Sequence, residues 1–400
     1  MIMEVVLRKK RLKKTLSTPT KGVDCPAGDA MHTLLKVLWQ VGPFGFAPHA
    51  RKEKMPKYEA ILLLSFGGPE SEKDVIPFLK NVTSGKAVPL ERIREVQAQY
   101  DLFGGSSPIN QQNRDLINAL AKELNHHKLE LPIYFGNRNW KPFLQDTVNQ
   151  IVKDGHRRVL TFVTSAFGSY SGCRQYQEDI DKAIENTQVD NLTIDKIRLF
   201  WNHPKYLSAV ESQIEKTLST LTPHARAGGK LLFSAHSIPK AWAKTSPYTS
   251  QLETIAKEMS QRVAPDLPWD LVFQSRSGPP AVPWLEPDIT DYIDTMDTKN
   301  QQTIIVIPIG FLSDHMEVQF DLDTQAASHA KRKGIQMVRV PTVGLHKTFV
   351  AMIRELIEEV LEGKDPEVEI GSPWECTPEC CAINANPESR RRKQDKQIGK

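Results

Sequence analysis

Long apolar runs are missing from this sequence of 400 residues. A membrane-crossing helix needs roughly 18 to 20 consecutive apolar positions. The most apolar N-terminal segment, MHTLLKVLWQVGPFGFA at 31–47, is interrupted by Lys36, Gln40, Gly42 and Pro43. Stable membrane insertion through a helix is therefore not expected. Cysteine is scarce as well. Cys25, Cys173, Cys376, Cys380 and Cys381 form an odd set that suggests no secreted disulfide framework, so a cytoplasmic location is expected. A large charge of either sign is lacking too. The formal net charge is +4, and RKKRLKK at 8–14 with RRRK at 390–393 carry many of the basic residues. The body is then close to neutral, which argues against nucleic acid as a partner, because phosphate binding needs a basic face on the folded part. Two catalytic signatures are also absent. No G-x-S-x-G elbow marks a serine hydrolase, and SFGGP at 65–69 lacks the GK[ST] ending of a phosphate loop.

What is present is a regular rhythm that starts just after Met55. MPKYEAILLLSFGGP enters a first strand almost at once, so Met55 reads as the natural start, and residues 1–54 as an N-terminal extension, disordered or misassigned. Short apolar runs at 59–66, 132–136, 158–164, 194–200, 230–235, 269–274, 303–309 and 336–340 read as strands covered on both faces. Amphipathic stretches at 110–126, 142–154, 174–186, 204–220, 248–263 and 346–362 lie between them. This βαβα order predicts a parallel, doubly wound α/β architecture. A weak repeat accompanies it. ILLLSFGGP (61–69) matches LLFSAHSIP (231–239), and VLTFVTSAFGSY (159–170) matches IIVIPIGFLSDH (304–315). Two four-stranded lobes follow, with ligands expected beyond the carboxyl ends of their strands.

Chemistry concentrates in two of those loops. His236 in FSAHSIP stands at a strand's carboxyl end, where an imidazole can take a proton or bind a metal. The other loop, SDHMEVQFDLD, holds Asp314, His315, Glu317, Asp321 and Asp323. Glu317, Asp321 and, less well, Asp314 would share one face of a helix, an arrangement of like charges that needs a reason. Histidine with carboxylates suits a divalent first-row metal or a proton relay.

Six segments in order, LLLSFGGPE, LFGGSSPIN, YFGNRNWKP, TSAFGSYSGCRQY, SAHSIP and GFLSDHMEVQFDLD, resemble the ferrochelatase family over roughly 58–362, with the actinobacterial-type coproporphyrin enzymes most alike. The resemblance implies two Rossmann-like, chelatase-type lobes with a porphyrin cleft between them. The expected divisions are a first lobe at 55–215 and a second at 216–345. A C-terminal helix at 346–364 packs back on the first lobe, and 365–400 form a flexible tail. It implies insertion of Fe²⁺ into a porphyrin with loss of the pyrrole protons. His236 and Glu317 would handle the proton and the iron, with Asp321 behind them and Asp314 orienting a neighbouring histidine. Tyr100, Ser107, Arg138, Tyr176 and Phe66 would line the macrocycle, although the two tyrosines equally suit helix packing and Ser107 a helix cap. Phe66 departs from relatives that carry a tyrosine there as an iron ligand, and Lys86 stands where some have arginine. One internal cysteine and CTPECC near the end imply a [2Fe–2S] cluster on Cys173, Cys376, Cys380 and Cys381, with zinc as the alternative.

The substrate implied is coproporphyrin III, with protoporphyrin IX second. A non-catalytic haem carrier would need the cleft but not the acids behind Glu317. A cobalt or nickel chelatase would need more histidines. A monomer is expected, making at most transient contacts with haem-pathway enzymes.

Overall fold

The computed structural model describes residues 57–85, 88–278, 281–299, 301–372 and 380–381. Residues 1–54, Lys86 and Cys376 lie outside that set. Eight strands form two separate sheets. β1 (Ala60–Ser65), β2 (Ile133–Asn137), β3 (Arg158–Val163) and β4 (Thr193–Lys196) are ordered β2-β1-β3-β4. β5 (Gly229–His236), β6 (Trp269–Gln274), β7 (Thr303–Ile307) and β8 (Gln336–Arg339) are ordered β6-β5-β7-β8. All pairings are parallel, with Leu63 opposite Phe135 and Phe162, and Phe233 opposite Leu271 and Ile307. The two orders are the same permutation, so β1 corresponds to β5 and β3 to β7, as the repeated strings require.

Every residue of β1 and of β7 is buried. Strands covered on both faces can be apolar at each position, and each fully buried Leu or Ile contributes on the order of 1.5–3 kcal/mol. The principal helices are α1 (Glu72–Val82), α2 (Leu90–Asp101), α3 (Ile109–His126), α4 (Leu144–Lys153), α5 (Gln175–Thr187), α6 (Pro204–Leu218), α7 (Tyr248–Val263) and α8 (Lys347–Glu362). α6 starts with proline at its first position, after His203, whose Nδ1 accepts from Lys205 N at 3.2 Å. α8 buries Phe349, Met352, Ile353, Leu356 and Ile357 along one face and ends at Gly363, whose φ of +62° closes the helix. It packs on α3 and α6, where Arg354 donates to Glu123 at 2.9 Å and Phe349 meets Phe162, Phe200 and Tyr206. Among the described residues no helix is long and apolar enough to cross a membrane.

Two features position the site. α1 and α2 form a lip whose Phe78 and Tyr100 pack with Trp140, Met316 and Phe320. The acid-bearing segment is not an ordinary α-helix: a short turn at Met316–Val318 passes into a π-helix at Gln319–Ala326. Such wide turns are rare and occur often at functional sites.

Candidate active site

The loops after β1, β3, β5 and β7 converge on a cleft. The turn after β1 needs its glycine, because a Cβ on Gly68 would lie 2.8 Å from both Ser107 and Ile109. The same holds after β7, where a Cβ on Gly310 would stand 2.7 Å from Ala235. Close approach of these backbones leaves a cavity of about 240 Å³ beside His236 and Glu317. A second space of about 400 Å³ shares Phe66, Phe78, Tyr100, Met316 and Glu317 with it and runs along the acids to Asp321 and Gln325.

His236 is the last residue of β5. Its Nδ1 sits 2.5 Å from the Ser237 carbonyl oxygen, so that nitrogen carries the proton and donates. Nε2 is left with a free lone pair, 4.0 Å from Glu317 Oε2. The backbone holding the ring is pinned: Tyr248 donates to the His236 carbonyl at 2.9 Å, and Ser237 N donates to Gln274 O at 2.7 Å. Glu317 is held through its main chain, with its N–H donating to His315 Nδ1 at 3.2 Å and its carbonyl accepting from Gln274 at 3.3 Å. Its carboxylate is therefore free to face the cleft. Burial lowers the His315 pKa, keeping that ring neutral.

Asp321 lies one step further along the π-helix. Burial pushes its carboxyl up from 3.8 to about 6, and the nearby Glu317 charge raises it further while the Ser275 hydroxyl, which donates to Asp321 Oδ2, works against the rise. Ser275 takes a φ of +62°, uncommon for a residue with a side chain, and that backbone aims its hydroxyl at the acid. A carboxyl that titrates at about 6 keeps a protonated fraction closer to neutral pH than an ordinary aspartate and can pass a proton in either direction. The raised value has a stability consequence with a definite sign. The fold favours the protonated form, so the stabilisation is complete below about pH 4 and is lost as pH rises through about 6. The loss approaches ~3 kcal/mol above pH 7. Asp321→Asn cannot ionise, so its stability relative to the native chain should improve between pH 5 and pH 8; thermal unfolding at the two values checks this, and an unchanged difference would contradict it.

The remaining expected residues divide. Phe66, Tyr100, Ser107 and Tyr176 all line the cleft. Tyr100 is buried against Phe78, and Ser107 also accepts weakly from Ile109 N at 3.5 Å at the start of α3. Arg138 does not line it. Its Nε is bonded to Asp179 at 2.5 Å, its guanidinium lies over the Tyr176 ring at 4.6 Å, and only 6% of its side chain is exposed. In this arrangement its guanidinium packs on Tyr176, which does line the cleft. Asp314 also differs from expectation. It precedes the helical segment, accepts from Arg339 at 2.8 Å and from Thr342 N at 3.4 Å, and Arg339 bonds Asp323 at 2.6 Å on its other side. These two acids are tied to β8 and stand apart from the Glu317–Asp321 line.

A second constellation lies on the first lobe. Cys173 sits in a short π-helical turn, Tyr170–Arg174, capped by Ser169. Cys380 and Cys381, with sulfurs 3.4 Å apart, line the same cavity of about 670 Å³ as Cys173. Arg174 donates to Cys380 O at 2.9 Å, and Lys196 lies 2.9 Å from Cys173 O and 3.1 Å from its sulfur. Burial and the adjacent Cys380 push the Cys381 thiol up. Three soft donors beside two cations fit an iron–sulfur group. Elsewhere, His203, Glu355 and Glu367 bring ligand atoms within 4.8 Å of one another. His203 Nδ1 accepts a backbone hydrogen bond, so Nε2 holds the ring proton, while Lys205 and Arg198 occupy Glu355 and Glu359. Glu355 and its neighbour Glu359 thus belong to ion pairs with Lys205 and Arg198.

Residues 58–361 match the family model described as Ferrochelatase. The chain belongs to the ferrochelatase family. A ferrochelatase of Rhodopirellula baltica is 45% identical over 333 residues, covering 82% of this chain and 94% of that protein. The coproporphyrin III ferrochelatase of Streptomyces coelicolor is 45% identical, covering 76% and 85%. That of Leifsonia xyli is 41% identical, covering 81% and 91%. Within this ferrochelatase-family cleft, Gln274 and Ser275 are the residues that sequence reasoning missed. β6 pairs with β5 so that Gln274 stands opposite His236, and only that register brings QS at 274–275 onto the acids.

Proposed function

We propose that this cleft inserts Fe²⁺ into coproporphyrin III, giving Fe-coproporphyrin III, in the cytoplasm. The observation that carries the reading is His236, tied through Nδ1 to Ser237 O with Nε2 facing Glu317 at 4.0 Å, and the buried Asp321 carboxyl behind it. Metallation exchanges two pyrrole protons for one ferrous ion. His236 Nε2 accepts a proton from a pyrrole nitrogen on its face of the ring, Glu317 takes it on, and Asp321 with Ser275 hands it outward. Because the Asp321 carboxyl is raised to about 6, it can exchange protons more readily than an ordinary aspartate, which favours proton exit over iron entry along this line. Phe66 cannot coordinate, so no axial iron ligand comes from that side; it packs edge-on to Phe78 at 6.3 Å and offers the macrocycle an apolar face.

The choice of coproporphyrin III is supported by the names of the relatives from Streptomyces and Leifsonia. Anaerobic kcat/KM for Fe²⁺ insertion should favour coproporphyrin III over protoporphyrin IX by at least about tenfold, a difference of ~1.4 kcal/mol in transition-state binding. Equal rates, or preference for protoporphyrin IX, would overturn the substrate assignment while leaving the chemistry. A non-catalytic carrier would have no use for a buried acid with a raised pKa beside the histidine.

Cys173, Cys380 and Cys381, with Cys376 as the fourth, would hold a [2Fe–2S] cluster, which when bound accepts an electron and ties the tail to the first lobe. Anaerobically purified protein should contain iron and acid-labile sulfide and absorb in the visible, and Cys381→Ser should lose that absorption. A colourless, iron-free native chain would reject the cluster.

A further inference from the structure

We infer that Lys196 is a positioning residue that sets how readily the iron–sulfur group on Cys173 accepts an electron. This rests on the cluster reading above. Lys196 closes β4, and its ammonium donates both to the Cys173 carbonyl at 2.9 Å and to the Cys173 sulfur at 3.1 Å. The two bonds fix the charge against the sulfur instead of letting it swing into solvent. The sulfur is buried and the ammonium half-buried, so water and salt screen the pair less than a surface contact. The other groups around this cavity are already committed. Arg174 donates to Cys380 O and pairs with Glu178 at 3.1 Å, Tyr170 donates to Glu178 at 3.0 Å, and Asp181 accepts from Gln177 at 2.9 Å. Lys196 thus places a cation directly on the Cys173 sulfur.

Adding an electron to a thiolate-bound iron pair raises its negative charge. A fixed ammonium and an N–H···S bond stabilise the reduced form more than the oxidised one, and hydrogen bonds to the sulfurs are among the features that set such potentials. Removing the ammonium should make the group harder to reduce. A purely structural lysine would support the turn through the carbonyl bond and leave the electron affinity unmoved.

The test is an anaerobic redox titration of the full-length protein, with dithionite as the one-electron donor, followed by visible absorption and electron paramagnetic resonance. Iron and sulfide content are measured alongside. At the native midpoint, where half the cluster is reduced, Lys196→Met should reduce the ratio of reduced to oxidised cluster about tenfold, equivalent to ~59 mV. Lys196→Arg should stay within about threefold of native, and Lys196→Gln, which keeps a donor without charge, should fall between. Lys153→Met, an exposed lysine elsewhere on the lobe, should not move it. A cluster-containing Lys196→Met with the native midpoint overturns this inference and leaves the cluster reading intact. If Lys196→Met cannot hold the cluster while Lys196→Gln titrates as native, the role is structural and the inference is overturned. Native protein without iron and sulfide rejects both.

Discussion

His236→Ala is expected to lower the rate of iron insertion by at least about a thousandfold while porphyrin affinity stays within about threefold of native. General-base groups contribute roughly 10²- to 10⁴-fold, and here the same Nε2 is both the free lone pair facing the ring and the start of the acid line. Among the described residues lining the cavity, the other histidine does not replace it. His315 also lines the cavity, but its Nδ1 accepts from Glu317 N, so its Nε2 carries the ring proton and has no lone pair to offer. The ring of His236 is about a third exposed, and its side-chain contacts among the described residues are Ser237 O and the Glu317 carboxylate. Its removal should therefore leave the fold in place, and circular dichroism would verify that. Porphyrin binding read by fluorescence and insertion read by absorbance separate the two effects. Native-like insertion by the variant would remove His236 from the mechanism.

Glu317→Gln is expected to slow insertion by a further large factor, on the order of 10²-fold, again with little change in porphyrin binding. The substitution keeps size and shape. The hydrogen bonds that fix residue 317 run through its backbone to His315 and Gln274, so the amide should occupy the same place. What it cannot do is accept a proton from His236 and release it toward Asp321. The distinguishing readout is a KM-against-kcat split: kcat should fall with KM nearly unchanged, because the lost step belongs to the chemistry. A rise in KM at constant kcat would instead make Glu317 a binding residue.

How much of this was readable in the sequence depends on which physics writes a given element. β1 and β7 are covered by helices on both faces, so burial imposes uninterrupted apolar strings that stand out. Their repetition in matching loops then gives the two-lobe permutation and the ligand face. α1 was not recognised because Pro77 sits within it, and α2 because its apolar positions are sparse. The π-helix is invisible to spacing arguments. Acids four apart suit an α-helix equally, and what distinguishes the wider turn is its packing between the lip and the second sheet. Arg138 shows a related ambiguity: a guanidinium fits a ligand carboxylate or Asp179 alike, and Asp179 lies 41 residues away in sequence. Gln274 and Lys196 act through strand ends brought beside His236 and Cys173 by sheet pairing and loop packing, and neither carries a local signature. The cysteines could be counted toward a cluster, but the convergence of Cys173, Cys380 and Cys381 at one cavity is a property of the fold.

The central claim is that the cleft performs metallation and does not merely hold a porphyrin. Single-turnover mixing of Fe²⁺ with the native protein carrying bound coproporphyrin III, under anaerobic conditions in weakly buffered solution with a pH indicator, tests it most directly. The expected result is conversion of the bound porphyrin to its iron form, with two protons released for each iron inserted. Tight porphyrin binding with neither conversion nor proton release would contradict it.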